Sequence, residues 1–227
     1  MEDAPPTAPK HVLVVCNPKI DSFSMAMAER YAEIATGLGH RVVVRDLYRI
    51  GFDPILKAAE EPSDHFVPAP DVAAELAAID GAAVLALVYP LWFGMPPAML
   101  KGYVDRVLGA GFSFRSVEQR DPHALLHGAR LVSFTSSGTR QPWLEEQGAW
   151  LSLRKLFDDY LSRAFSMHSS EHIHFGSVVD GLKARFIAEH LFDVEQAARR
   201  ICSELPGHEV ALATTATGNS PADPAAD

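Results

Sequence analysis

The sequence predicts an α/β chain: a three-layer sandwich with a parallel five-stranded sheet at its centre. Three observations carry this. Four short runs are almost wholly apolar and rich in β-branched residues, at 11–16 (HVLVVC), 41–44 (RVVV), 82–88 (AAVLALV) and 130–135 (RLVSFT). Segments with helical spacing of apolar residues separate them. No repeat or linker divides the chain. Continuous apolar strands are those buried on both faces, as in parallel sheets covered by crossover helices.

Each element has its own local reason. The first helix, over 25–38, stops at Gly37 and Gly39. The second, over 72–79, precedes the third strand. The third, over 96–108, has proline near its start, where a missing N–H costs nothing. Residues 143–165 read as largely helical, and 173–175 fall in the fifth strand. The last helix, over 182–204, is amphipathic, with Glu189, Asp193, Glu195, Arg199 and Arg200 on its wet side. Right-handed crossovers complete the sandwich. One domain over 10–205 is expected, between disordered tails at 1–9 and 206–227 that are too poor in apolar residues to offset their ordering entropy.

Composition narrows the function. The 227 residues are 48% hydrophobic and 22% charged, with net charge −9, ordinary for a soluble globular protein. An acidic chain is a poor partner for nucleic acid or anionic lipid. The longest apolar run, 82–88, is far short of the ~20 residues a membrane helix needs, so no membrane insertion is expected. The acidic, proline-rich start is unlike a secretory signal. Cys16 and Cys202 give no disulfide framework, and a cytoplasmic location is expected.

In open parallel sheets, ligands bind beyond the carboxyl ends of the strands. Three segments lie there. Residues 17–24 (NPKIDSFS) are polar and feed a helix, whose amides and dipole favour phosphate; plain helix capping by Ser22 or Ser24 is the alternative. Residues 89–97 (YPLWFGMPP) hold aromatic rings in a proline-stiffened loop, suited to a flat ligand or to packing beneath a loop. Residues 135–139 (TSSGT) allow close backbone approach, or simply make a surface turn. Together they describe a phosphate end, an aromatic wall and a small polar edge for a mononucleotide-type cofactor with a planar ring, a flavin above all. Neither GxGxxG nor GxxxxGK[ST] is present.

On residues 15–56, 89–114 and 131–138 the chain resembles the flavodoxin-like NAD(P)H:quinone oxidoreductases, the DT-diaphorase group and its bacterial relatives. The run PLWFGMPPAMLKGYVDRV is its most specific part. The resemblance implies strand order 2-1-3-4-5 and two-electron, ping-pong reduction of quinones or similar flat acceptors by NAD(P)H through bound flavin. FAD is narrowly favoured over FMN, with Phe23 and Arg185 bordering an adenosine half. By the same resemblance, Asn17, Ser22, Phe23 and Ser24 hold the phosphate, and Pro90, Leu91, Trp92 and Phe93 face the ring. Thr135, Ser136, Ser137 and Gly138 then bond its pyrimidine edge. The block after the second strand, DLYRIGFDPIL, is read as structural. A homodimer closing the site is implied, with Trp92, Phe93 and Met95, continued by Met99, Tyr103 and Leu108, as the apolar patch. An azo- or nitroreductase of the same fold, a flavin-binding regulatory subunit and an electron carrier are the alternatives.

Asn17 stands where many relatives have His, and Ser24 where many have Asn. The mammalian enzymes carry a Tyr and, six residues on, a His beside the flavin. Here those positions are Trp143 and Ala149, neither able to transfer a proton. Trp143 becomes a wall of the acceptor pocket. Either backbone amides alone hold the reduced ring's charge, or another residue substitutes. His168, His172 and His174 cluster near the fifth strand, with the last two on one face. No acidic or cysteine partner has a metal-site spacing, so no metal is expected, and the cluster reads as a solvated or interface strand.

Overall fold

A computed structural model describes residues 8–61, 66–110 and 125–205. The expected tails, save residues 8 and 9, lie outside the described residues. β1 (Lys10–Val15), β2 (Arg41–Asp46), β3 (Val84–Pro90), β4 (Arg130–Ser136) and β5 (Ser169–Phe175) form one parallel sheet in the order β2-β1-β3-β4-β5. Apolar side chains alternate between two buried faces, which explains the continuous hydrophobic runs. No helix among the described residues is long and apolar enough to cross a membrane.

One face carries α1 (Phe23–Gly37) and the final helix α7 (Ala184–Ser203). There Leu13, Val15, Val88 and Phe134 pack on Met27, Tyr31, Val194 and Ile201. The other face carries α2 (Pro70–Ile79) and α3 (Ala98–Tyr103), which runs on through a widened π turn at Val104–Leu108. It also carries α4 (Gln141–Glu146), α5 (Ala149–Leu153), a second π turn at Arg154–Asp158, and α6 (Asp159–Ala164). Here Val14, Leu87, Tyr89 and Leu131 meet Leu100, Tyr103, Phe157 and Leu161.

This packing corrects one expectation. Tyr103 and Leu108 do not extend a surface patch; both are buried in the core, because α3 turns its apolar side to the sheet. Gly102 lets α3 lie close against the connection after β2: a Cβ there would overlap the Pro54 carbonyl and side chain.

Arg106, on the first π turn, anchors the long connection after β2. Its side chain is 3% exposed and donates to both oxygens of buried Glu60, to Asp71 and to the Asp53 carbonyl. The guanidinium holds the Glu60 and Asp71 carboxyls below their usual range, against the opposing effect of burial. A depressed carboxylate contributes stability that is present above its unfolded-state pKa and lost as pH falls through the folded one. Arg106→Met leaves Glu60 buried and unpaired, and urea unfolding at neutral pH should show a loss of about 3–5 kcal/mol. The deficit should shrink in acid as the carboxylates protonate; a constant deficit would show that the lost packing, not the charge, sets it.

Candidate active site

The three loops selected from the sequence meet at the carboxyl rim of the sheet, joined by a fourth, 177–182. The turn after β1 is held from both sides. Asn17 accepts from the Lys19 amide at 3.0 Å and donates to Ser24 Oγ at 3.3 Å. Arg49, braced on Asp46 at 2.9 Å, donates to the carbonyls of Pro18 and Asn17 at 2.9 and 2.7 Å. That bracing is what DLYR does for the site. With the carbonyls drawn toward Arg49, the turn faces the rim cavity of about 540 Å³ lined by Asn17, Lys19, Ser22, Phe23 and Ser24.

Ser22 is the N-cap of α1: its hydroxyl accepts from the Met25 amide at 3.2 Å. Its side chain is therefore committed to capping, and Ser24 is buried against Asn17. What remains for a ligand is backbone. The Phe23 and Ser24 amides have no acceptor among the described residues, and the first turn carries no acid. An anion here meets two amides and the positive helix end, with Lys19 beside them.

Trp92 and Ser136 continue the same cavity. The Leu91 amide donates to the Ser136 carbonyl at 2.7 Å, pinning the aromatic loop to β4. Beyond it, residues 92–95 close a two-residue turn, with Trp92 and Met95 exchanging backbone bonds at 3.0 and 3.1 Å. Phe93 and Gly94 sit at φ +52° and +76°, and the Phe93 ring stands fully in solvent. On the far side of this turn lies a second cavity of about 420 Å³, lined by Leu91, Phe93, Ser137, Gly138 and Trp143. Trp143, at the start of α4, is 53% exposed. Pro90 ends β3.

Thr135 is placed differently from the expected ring contact. Its hydroxyl lies behind the rim, fully buried, 2.7 Å from His172 Nε2 and 2.8 Å from His174 Nδ1. The histidine cluster divides: His168 is exposed and β5 is half-buried up to His174, with the His172 ring turned inward. The His172 side chain is 1% exposed, and its Nδ1 lies 2.6 Å from Asp158. Burial, with His172 adding to it, lowers His174 to about 4, so that ring is neutral. The acidic partner of His172 is Asp158, which reaches β5 from the second π turn, a hydrogen-bond partner that sequence spacing does not reveal.

Sequence reasoning also missed the loop after β5. Val178, Val179, Asp180, Gly181 and Leu182 line the larger cavity. An Asp-Gly turn beyond a fifth strand was the available signal, under the same carboxyl-edge rule. Gly176 opens that loop: a Cβ there would meet the Thr139 carbonyl at 2.9 Å. Arg185 does not line this cavity, its guanidinium standing 4.5 Å over the Phe186 ring.

A family model described as a flavodoxin-like fold matches residues 9–198. The chain belongs to that flavodoxin-like family. It is 30% identical over 208 residues to a Haemophilus influenzae protein named as an uncharacterized NAD(P)H oxidoreductase, across 91% of this chain and 96% of that one. It is 29% identical over 147 residues to NAD(P)H dehydrogenase (quinone) 1 of Cavia porcellus, spanning 53% of that longer enzyme. Among solved structures it is similar to an NAD(P)H:quinone oxidoreductase from Methanothermobacter marburgensis. That similarity has TM-score 0.73 and 25% identity, covering 86% of this chain and 96% of that one. An azoreductase of Bacillus anthracis in complex with FMN shares the fold at TM-score 0.61 and 18% identity. The flavodoxin-like rim, with amides at one end and aromatic rings at the other, fits a flavin nucleotide.

Ser22→Ala should lower stability in urea by about 1 kcal/mol, the usual value of an N-cap. No loss would mean that the cap is not made in solution.

Proposed function

We propose that this chain is a flavin-dependent NAD(P)H oxidoreductase that reduces quinones or similar flat acceptors by two electrons. The observation that carries the reading is the pair of cavities on either side of the Trp92–Phe93 turn, one ending at free amides and the other walled by Trp143. When bound, the flavin supplies a ring that takes a hydride from nicotinamide and passes it on. The chain's own residues do the rest. The Phe23 and Ser24 amides and Lys19 bind phosphate, while Asn17 and Ser22 shape that turn. Leu91, Trp92 and Phe93, following Pro90, orient the ring; Ser136, Ser137 and Gly138 border its polar edge. Trp143 stacks on nicotinamide or acceptor and excludes water, since an indole has a donor N–H and no useful acid or base.

FMN is the form we propose, because Arg185 is turned over Phe186 and gives the far end of the cavity no cation. The apolar side chains of Val178, Val179 and Leu182 favour FAD as the second reading. Flavin released from the denatured protein distinguishes them by mass. The protein should purify yellow and oxidise NADH or NADPH with menadione, and initial-rate lines at several nucleotide concentrations should be parallel, as one pocket serves donor and acceptor in turn. A colourless protein that binds neither flavin overturns the reading; intersecting lines overturn the shared pocket. An azo dye in place of menadione tests the reductase alternative.

We further propose a cytoplasmic homodimer closed over this rim. Trp92, Phe93 and Met95 stand exposed beside Trp143, more clustered apolar area than a monomer ordinarily leaves in water. A two-fold mate over them would supply the outer wall of the acceptor pocket. Light scattering should give twice the chain mass, and Phe93→Asp should yield monomers with reduced quinone turnover. A fully active monomer would refute the shared site.

A further inference from the structure

Behind Ser137 runs an unbroken line of polar contacts. Ser137 Oγ donates to the Thr139 carbonyl at 2.9 Å and lies 3.1 Å from His174 Nε2. His174 Nδ1 is 2.8 Å from Thr135 Oγ1, which is 2.7 Å from His172 Nε2. His172 Nδ1 is 2.6 Å from Asp158 Oδ2, and Ser133 donates to Asp158 Oδ1 at 2.7 Å. Trp150 covers both imidazoles, its ring centroid 4.7 Å from that of His172 and 5.4 Å from that of His174.

Counting hydrogens decides what this line can do. A hydroxyl has one hydrogen to give, and a neutral imidazole has one N–H. With Ser137 donating to Thr139, His174 must donate from Nε2 and accept at Nδ1. Thr135 must then donate to His174 and accept from His172 Nε2. With Asp158 taken as the carboxylate, His172 also donates to it from Nδ1, so it carries both hydrogens and is an imidazolium. All the contacts coexist only with this one extra proton. Remove it, and a second arrangement follows: His172 keeps Nδ1–H, Thr135 donates to His172, His174 donates from Nδ1 to Thr135, and Ser137 turns to donate to His174.

We propose that Asp158, His172, Thr135, His174 and Ser137 form a proton relay that stores one proton at His172 and releases it from the Ser137 hydroxyl into the acceptor cavity. The steps balance. The Nε2 proton of His172 passes to Thr135, the Thr135 proton to His174 Nδ1, and the His174 Nε2 proton to Ser137. The former Ser137 hydrogen goes to an acceptor oxygen that has displaced the Thr139 carbonyl as its partner. A quinone that takes a hydride needs one such proton to become the hydroquinone; NAD(P)H supplies the hydride, and solvent reloads the relay through Ser137 when the cavity empties. Ser137 alone meets the cavity. The other four are positioning residues that act through it. His174 is neutral in both arrangements, in accord with its burial. The other groups around the imidazoles do not compete: Tyr89 is neutral, its hydroxyl raised by burial, Glu171 pairs with Arg200, and Asp159 pairs with Lys155.

The relay rests on the reductase reading only for its proton acceptor, and two readouts keep the two apart. In flavin-free protein, nitrogen NMR of the imidazoles should find His172 charged when the relay is loaded. Raising the pH should discharge His172 while His174 switches tautomer in step, never becoming cationic. A His174 tautomer that stays fixed while His172 titrates, or a His172 that is never charged, overturns the relay whether or not the protein binds flavin. In stopped flow, His172→Gln should slow the menadione half-reaction about a hundredfold. It should leave reduction by NADPH within twofold and remove the pH dependence of the menadione step. Equal slowing of both half-reactions, or none of the menadione step, would reduce the line to a structural ladder between β4 and β5. If His172→Gln does not fold, Ser137→Ala, which leaves the buried part intact, should slow the menadione half-reaction to a similar degree; an unchanged rate there overturns the exit.

Discussion

The site depends on a row of backbone hydrogen bonds that continues the sheet's ladder past the ends of its strands. Leu47 donates to Val15, Cys16 to Val88, Leu91 to Ser136 and Ser137 to Phe175, at 3.0, 2.9, 2.7 and 3.0 Å. The row crosses all five strands in their spatial order. Each loop therefore leaves the sheet with its register already set by its neighbour. Parallel strands place every such exit on one edge, and the row fixes the heights at which they leave. The turn at 17–24, the aromatic turn, the Ser136–Gly138 edge and the loop after Phe175 are thereby positioned before any side chain interacts.

Two of the buried charges on one face of that sheet ride on widened helical turns. Arg106 is on the π turn at Val104–Leu108 and Asp158 on that at Arg154–Asp158. Such turns disturb the regular helical ladder and often occur where a side chain has work that a regular helix would not allow. Here each redirects a charge toward the core. Arg106 finds Glu60, Asp71 and the Asp53 carbonyl; Asp158 finds Ser133 and His172. Removing one member of such a group costs more than the group contributes, because the survivor keeps its desolvation penalty. The connection between β2 and α2, and the polar line behind the rim, are both fastened in this way.

What could be read from the sequence follows from how local each signal is. The strands and their carboxyl-edge loops were legible, because burial on both faces leaves a continuous apolar run and the edge rule does the rest. Ser22 was legible as a cap candidate. Asp158 as the partner of His172 was not, since the pairing needs both the π turn and the β4–β5 register, and neither leaves a periodicity to count. The inward turn of Tyr103 was not legible either; helical spacing says which residues share a side and not what that side meets. Arg49 looked like part of a structural block, and its reach to the Asn17 and Pro18 carbonyls requires knowing that β2 lies beside β1. The loop at 177–182 was overlooked because its residues are ordinary and only its place gives it a role.

Backbone strain gathers at the same edge. Of the described residues other than glycine, Phe93, Ser166 and Ser177 have positive φ, and two of the three stand at the rim. A left-handed conformation is costly for an aromatic residue, and full exposure of its ring adds apolar area to water. Neither cost is repaid within the subunit, since the Phe93 ring packs on nothing there. The turn keeps its shape because the Trp92–Met95 bonds close it and the Leu91–Ser136 bond fixes its base. A conformation held from below and unrewarded above is one whose return comes from what settles onto it. That is the argument for proposing that a ring, its reactants and a second subunit settle on this one surface, and not on separate parts of the fold.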